Sequence, residues 1–133
     1  MKIGIIGYIN PTKFDYDQGY NLIKRTFEII DNNFNNVIIV SGLSDVAIPG
    51  ISYHLAKDFN WLTVGIAPYE VYNHQLFPVD KKVIVGKFFG DESDFFLKKI
   101  DMLLAFGSGD QSKEELQKFK NKYPEKFCHE FKL

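Results

Sequence analysis

The chain has 133 residues, a length that suits one domain with a sizeable core, and we expect residues 1–133 to form a single domain. Its 16 basic and 17 acidic side chains nearly cancel and form no basic block, which argues against nucleic-acid binding through a broad positive surface. No apolar run approaches the roughly 20 residues that span a bilayer, and the first residues lack a signal-peptide pattern. The single cysteine, Cys128, suits a reducing compartment, so we expect a cytoplasmic protein with no membrane partner.

Short β-type runs alternate with helix-type segments along the whole chain. The predicted strands, in chain order, cover residues 2–8, 37–40, 61–67, 81–86 and 101–106, with a candidate edge strand at 126–131. The predicted helices cover residues 16–33, 51–59, 91–100 and 112–123, and residues 68–80 are predicted to form a loop. Because the strands are apolar almost throughout, this alternation predicts the α/β class: a single Rossmann-like parallel sheet flanked by helices on both faces.

The predicted helix limits follow from residue types with known preferences. Pro49 and Gly50 precede the second helix, where the missing N–H of proline costs nothing. Asp91 and Glu92 stand at the start of the third helix, where carboxylates complement the helix dipole.

Glycines and polar residues follow the first, second and fifth predicted strands. In a parallel sheet these strand ends meet at one edge, which is where ligands of such sheets bind. Glycine lets backbone amides approach a ligand closely, and each following helix start presents unpaired N–H groups that suit a phosphate. The same residues would also make ordinary turns and helix caps, but three such loops at one edge favour a nucleotide-like ligand. The predicted ligand-binding residues are Gly7, Tyr8, Ser41, Gly42, Ser44, Asp45, Gly107, Ser108, Gly109, Gln111, Ser112 and Glu115.

Glu115 brings a carboxylate to this edge, since it lies one helical turn after Ser112. As a ligand-binding residue it would accept hydrogen bonds from ribose hydroxyls. As a catalytic residue it would stabilise an oxocarbenium-like ribose or activate a water, with Glu92 or Asp91 as its partner. A third interpretation is that it only complements the helix dipole. Among the aromatic residues, Tyr8 is the candidate for stacking on a base.

No motif in the sequence is typical of a metal or cofactor site. The three histidines, at positions 54, 74 and 129, are widely separated and lack zinc-ligand spacing. Neither G-x-G-x-x-G nor G-x-x-x-x-G-K-[ST] occurs, which argues against a dinucleotide dehydrogenase and a P-loop phosphotransferase. We therefore expect neither a metal nor a cofactor.

Two stretches together resemble a known superfamily: VIIVSGLSDVAIPGISYHLAKDFNWLTVGIAP at 37–68 and IDMLLAFGSGDQSKEE at 100–115. They are similar to the SLOG superfamily, which includes LOG-type (lysine decarboxylase-like) phosphoribohydrolases and molybdenum-cofactor carrier proteins. Gly42 matches the family's glycine turn, and residues 63–68 match the strand that follows. The late family motif, P-G-G-x-G-T-x-x-E, is matched at its second glycine, threonine and glutamate by Gly109, Ser112 and Glu115. The segments PVD, at 78–80, and GDES, at 90–93, are similar to an uncharacterised bacterial and phage subgroup.

The resemblance implies a protein that binds a nucleotide or nucleotide-derived ligand, such as a signalling molecule, at the carboxyl ends of the strands. In phage relatives, sequestering a defence messenger would be one such use. The alternative that it implies is a phosphoribohydrolase that cleaves the N-glycosidic bond of a nucleotide monophosphate. LOG-type hydrolases carry an arginine on the helix before the late motif, whereas the only arginine here, Arg25, lies on the first predicted helix, and Gln111 replaces a motif glycine. Because superfamily members commonly pair, the resemblance also implies a homodimer or higher homo-oligomer.

Overall fold

The computed structural model describes residues 1–133, and its six strands form one sheet in which every pair of neighbours is parallel. The strands are β1 (Lys2–Gly7), β2 (Ile38–Ser41), β3 (Leu62–Ala67), β4 (Lys81–Ile84), β5 (Met102–Phe106) and β6 (Cys128–Phe131). The α-helices are α1 (Tyr16–Asn33), α2 (Ala47–Asp58), α3 (Ser93–Lys99) and α4 (Asp110–Lys122). Short 3-10 helices cover Pro11–Lys13 and Tyr69–Asn73.

The helices cover both faces of the sheet, as the sequence predicted. On one face, apolar residues of α1 and α2, such as Phe27 and Leu55, pack with Ile5 of β1 in the larger core cluster. On the other face, Phe96 of α3 and Phe119 of α4 belong to a second cluster. The sheet is therefore buried on both sides, which explains why its inner strands are apolar almost throughout. The predicted α/β, Rossmann-like architecture is confirmed.

The strand order, β4-β3-β2-β1-β5-β6, determines where a crevice opens. The chain builds outward from β1 to β4, then returns to place β5 on the free side of β1. The loops that leave β1 and β5 consequently turn toward opposite faces of the sheet. In doubly wound folds, ligands bind at this reversal, outside the carboxyl ends of the strands.

Several element limits differ from those predicted, among them the starts of α2, α3 and α4 and the end of β4. Helix α2 begins at Ala47 rather than 51, so Pro49 lies inside its first turn, where N–H groups have no intrahelical partner and proline is tolerated. Helix α3 begins only at Ser93, because Asp91 instead accepts hydrogen bonds from the backbone N–H groups of Lys87 and Phe88. The loop predicted at 68–80 contains the 3-10 helix Tyr69–Asn73.

The candidate edge strand at the C-terminal end is confirmed: β6 pairs in parallel with β5. None of the helices combines the length and the apolar character that crossing a membrane requires.

Candidate functional site

A cavity of about 320 Å³ opens at the carboxyl ends of the central strands, at the point where the strand order reverses. Its walls come from the loops after β1, β2 and β3, from the segment that precedes α3, and from the first turns of α4. Eight of the residues singled out from the sequence line it: Gly7, Ser41, Gly42, Ser44, Glu92, Gln111, Ser112 and Glu115.

The loop after β2 offers backbone N–H groups to this cavity. Gly42, Leu43 and Ser44 all line it, and none of their N–H groups donates a hydrogen bond within the protein. A side chain at Gly42 would meet no atom within 4 Å, so the space beside this backbone is open. Consecutive free N–H groups of this kind form an anion-binding surface. The hydroxyl of Ser44 also has no partner in the protein and adds another donor.

The hydroxyl of Ser41 has a different role from that of Ser44. Ser41 is buried, and its Oγ donates to the carbonyl oxygen of Ile5 at 2.7 Å. This bond joins β2 to β1 at the cavity floor, so Ser41 shapes the cavity but its hydroxyl proton is already engaged.

Helix α4 starts at the cavity wall with its first N–H groups free. Its N-cap residue, Gly109, has no side chain to cap the helix, and the N–H groups of Asp110, Gln111 and Ser112 donate to no group of the protein. The hydroxyl of Ser112 donates to the carbonyl oxygen of Gly7 at 3.3 Å, which holds α4 against β1. An uncapped helix start carries partial positive charge and favours an anion nearby.

Helix α2 differs from α4 in this respect, although Val46 and Pro49 from its start also line the cavity. The N–H of Ile48 donates to the carbonyl oxygen of Tyr8 at 3.2 Å, and Pro49 has no N–H to offer. Its start therefore retains little capacity for an anion.

Two carboxyl groups, Glu92 and Glu115, lie in the same cavity although both are largely buried, with exposed fractions of 5% and 7%. Burial, with a smaller contribution from the charge of Glu92, raises the pKa of Glu115 to about 7, while hydrogen bonds from Ser93 and Gln111 and the charge of Lys118 oppose the shift. Burial also raises the pKa of Glu92. Its Oε1 accepts from the backbone N–H of Gly90 at 2.8 Å and from the Gln111 amide at 3.4 Å. Near neutral pH, Glu115 therefore exchanges a proton readily.

The remaining wall is mostly apolar, and the cavity contains two carboxyl groups without a lysine or arginine to balance them. Neither lysine nor arginine lines the cavity, and the one basic side chain in its wall is His74. The positive potential available to a ligand consequently comes from backbone N–H groups rather than from cationic side chains.

Five predicted ligand-binding residues do not line the cavity: Tyr8, Asp45, Gly107, Ser108 and Gly109. The ring of Tyr8 instead stacks on Phe14, with ring centroids 6.0 Å apart, and lies against the backbone of Gly107. Gly107 has φ +70°, and an added side chain there would overlap the Tyr8 ring, so its glycine is explained by packing.

The other polar residues of this group have partners elsewhere. Asp45 contacts His54, with Oδ1 and Nε2 3.2 Å apart, and Ser108 donates to the carboxylate of Glu130. Gly109 lies at the start of α4, exposed, next to the cavity residues but outside the wall.

Several cavity residues were not predicted, and they are mainly apolar or aromatic: Ile9, Val46, Val71, His74 and Phe89. The pattern that could have indicated Phe89 is the pair Phe88-Phe89 between two glycines, Gly86 and Gly90, outside any strand or helix. Two adjacent aromatic residues in a turn have no periodic reason to be buried.

The fold is shared with solved molybdenum-cofactor proteins. The chain is 16% identical to the molybdenum cofactor carrier protein from Chlamydomonas reinhardtii, with a TM-score of 0.76 over 97% of this chain and 74% of that one. It is 20% identical to the molybdenum cofactor binding protein from the phototrophic bacterium Rippkaea orientalis, with a TM-score of 0.76 over 99% of this chain and 76% of that one. No protein-family model and no curated protein matches the chain. These comparisons show the fold: the chain shares it with molybdenum-cofactor carrier proteins, one of the groups that the sequence was predicted to resemble.

Proposed function

We propose that this chain, which has the fold of the molybdenum-cofactor carrier proteins, binds a nucleotide or nucleotide-derived small molecule in the cavity at the carboxyl ends of its strands. The observation that carries the proposal is the chemical polarity of this cavity. The cavity holds two kinds of polar group: the free backbone N–H groups of residues 42–44 and of the start of α4, and the carboxyl groups of Glu92 and Glu115, which lie beside the first turns of α4.

Each kind of group suits one portion of a nucleotide. An oxyanion such as a phosphate is stabilised by consecutive free N–H groups and by a helix start. Ribose hydroxyls or base N–H groups are donors, and a carboxylate is the strongest side-chain acceptor for them. The apolar part of the wall suits a flat ring. The names of the two structural neighbours, a cofactor carrier and a cofactor-binding protein, support a binding function as well.

Mass spectrometry of small molecules released from the purified, heat-denatured protein tests the proposal directly. We expect a nucleotide or nucleotide derivative to be released at a stoichiometry near one per chain. If the protein is purified without a ligand, we expect calorimetric titration to show binding heat for at least one of AMP, GMP, CMP and UMP. If nothing is released and none of the four gives heat or a thermal shift, the proposal is wrong.

A hydrolase that cleaves the N-glycosidic bond of a nucleotide monophosphate is the second candidate, and the Glu92–Glu115 pair favours it. A carboxyl group with a pKa of about 7 is well suited to donate or accept a proton at neutral pH. This function requires free base and ribose phosphate to accumulate over many turnovers, and Glu115→Gln to abolish their release. Bound nucleotide that is recovered intact after long incubation supports the binding function instead.

The predicted homodimer and cytoplasmic location belong to the same proposal. Light scattering coupled to size-exclusion chromatography would give twice the mass of 15.4 kDa for a dimer.

A further inference from the structure

Phe89 is a partly exposed aromatic residue in the wall of the cavity. It lines the cavity, yet 44% of its surface is exposed, and it belongs to none of the three buried clusters. A large apolar side chain that faces a cavity without packing into the core contributes little to folding. Folding stability therefore does not explain why an aromatic residue lies at this position.

The turn that carries Phe89 is held rigidly by its own hydrogen bonds. The carboxylate of Asp91 accepts from the backbone N–H groups of Lys87 and Phe88, at 2.9 and 3.0 Å. These two bonds lower the pKa of Asp91, which therefore stays charged at neutral pH. Gly86 and Gly90, with φ of +80° and +107°, supply left-handed backbone at the two ends of the turn.

A second segment braces the same turn from outside. The backbone N–H groups of Tyr69 and Glu70, at the start of the 3-10 helix, donate to the carbonyl oxygens of Gly86 and Lys87, each at 3.0 Å. His74, which follows this helix, meets the Phe89 ring edge to face at 5.7 Å and lines the cavity beside it. Two independent segments thus present one aromatic surface to the cavity.

We propose that Phe89, supported by His74, is the surface on which a planar heteroaromatic ring of the ligand stacks, so that this pair selects ligands with a flat ring. The inference rests on the proposed function and specifies one wall of the same cavity. A ring that stacks on Phe89 would leave the donor groups of the ligand to Glu92 and Glu115 and its anionic group to the N–H groups of residues 42–44. Stacking on an aromatic side chain is tolerant of base identity, because every base has a π-face.

Isothermal titration of AMP, GMP, CMP, UMP and ribose 5-phosphate into the wild type, Phe89→Ala and Phe88→Ala tests the inference. Phe88 is the matched control, because it shares the turn and is 64% exposed but does not line the cavity. For the nucleotide that binds best, we expect at least a tenfold loss of affinity in Phe89→Ala and less than twofold in Phe88→Ala. Ribose 5-phosphate, which has no ring to stack, should lose less than twofold in both variants.

A second variant, Phe89→Trp, gives a signature that a purely structural role would not produce. Fluorescence of the new indole should change when the nucleotide binds and not when ribose 5-phosphate is added. The signal of the buried Trp61 is measured in the wild type and subtracted.

Three results would overturn the inference while leaving the proposed function intact: affinity within twofold in Phe89→Ala, an equal loss in Phe88→Ala, or no fluorescence change in Phe89→Trp at saturating nucleotide. If the wild type binds none of the five compounds and also releases no nucleotide-like molecule on denaturation, the proposed function fails and the stacking surface fails with it. If it releases such a molecule, that compound takes the place of the nucleotides in the same titrations.

Discussion

Burial raises the pKa of Glu115, and the carboxyl group of Glu92 adds to the rise, although the two residues come from different elements, one preceding α3 and the other in the second turn of α4. The Gln111 amide reaches both: it donates to Glu92 at 3.4 Å and opposes the rise in the pKa of Glu115. A proton on Glu115 relieves the repulsion between them. The protonation of this pair should therefore be visible in the stability of the protein.

We expect the free energy of unfolding to fall as pH rises through the range in which Glu115 titrates in the folded protein. Its pKa is about 7 when folded and 4.5 as the reference for the unfolded chain, so the folded state holds more protons between these values. The linked loss of stability from pH 4.5 to above 7 is about 3 kcal/mol for this group. Urea unfolding at pH 5, 6, 7 and 8 measures it.

Glu115→Gln is the control for that prediction, because an amide of the same shape cannot ionise. The variant should show a flatter pH profile and should exceed the wild type at pH 8 by about 1–3 kcal/mol. A difference between the two proteins that does not vary with pH would contradict the assignment of the titration to Glu115.

Gly42→Ala should weaken ligand binding without weakening the fold. The added methyl group meets no atom within 4 Å, so unfolding should change by less than about 0.5 kcal/mol, but it occupies the space beside the free N–H groups of residues 42–44. We expect at least a tenfold loss of affinity for the best-binding nucleotide by calorimetry.

Gly109→Ala is the matched comparison, since a methyl group there also meets no atom within 4 Å, and Gly109 does not line the cavity. It should cost a few tenths to about 1 kcal/mol in stability as a poorer helix cap, with affinity nearly unchanged. Equal losses of affinity in the two variants would speak against binding at residues 42–44.

Gly7→Ala should damage the fold instead, although Gly7 lines the same cavity. An added methyl group would overlap the carbonyl oxygen of Phe106, which is backbone of the adjacent strand and cannot move aside. We expect a destabilisation of about 1–3 kcal/mol, seen as a lower urea midpoint. An unchanged midpoint would show that β1 and β5 can separate at this point without cost.

Substitution of Ser41 and of Ser44 by alanine should likewise have different effects, one on stability and the other on ligand binding. Ser41→Ala leaves the buried carbonyl oxygen of Ile5 without this donor and should cost about 1–3 kcal/mol in unfolding. Ser44→Ala removes a hydroxyl that has no partner in the protein, so stability should hold while nucleotide affinity falls severalfold. An unchanged nucleotide affinity in Ser44→Ala would mean that the ligand does not use the hydroxyl of Ser44.

The periodic part of the fold could be predicted from the sequence, because apolar strands and amphipathic helices leave a strong pattern. Tyr20, Ile23, Phe27 and Ile30 have the spacing of an amphipathic helix; in α1 the last three are buried, whereas Tyr20 is half-buried. The helix starts were less predictable. A proline at position 49 is compatible both with the residue before a helix and with its first turn, and Asp91 serves a turn rather than a helix end.

Eight of the 21 residues that line the cavity were predicted, and most of these follow from the positions of glycines and polar residues at strand ends. The glycines themselves were ambiguous, because close packing and ligand access select the same residue: Gly107 makes room for Tyr8, whereas the space beside Gly42 is open. The pair Phe88-Phe89 between two glycines could have indicated aromatic residues outside the core. That Phe89 and His74 face the cavity depends on how the turn at 86–90 lies against the 3-10 helix, which leaves no pattern in the sequence.

The hydrogen bond from Ser112 to Gly7 joins residues 105 positions apart, both in the wall of the cavity, and holds α4 against β1. No short piece of the polypeptide contains both walls, so a nascent or clipped chain that lacks β5 and α4 would lack Glu115 and the N–H groups at the start of α4. Complete binding of a ligand would therefore require that the N-terminal and C-terminal parts of the chain have packed against each other. At a concentration one hundred times its dissociation constant, the ligand would add about 2.7 kcal/mol to the free energy of unfolding.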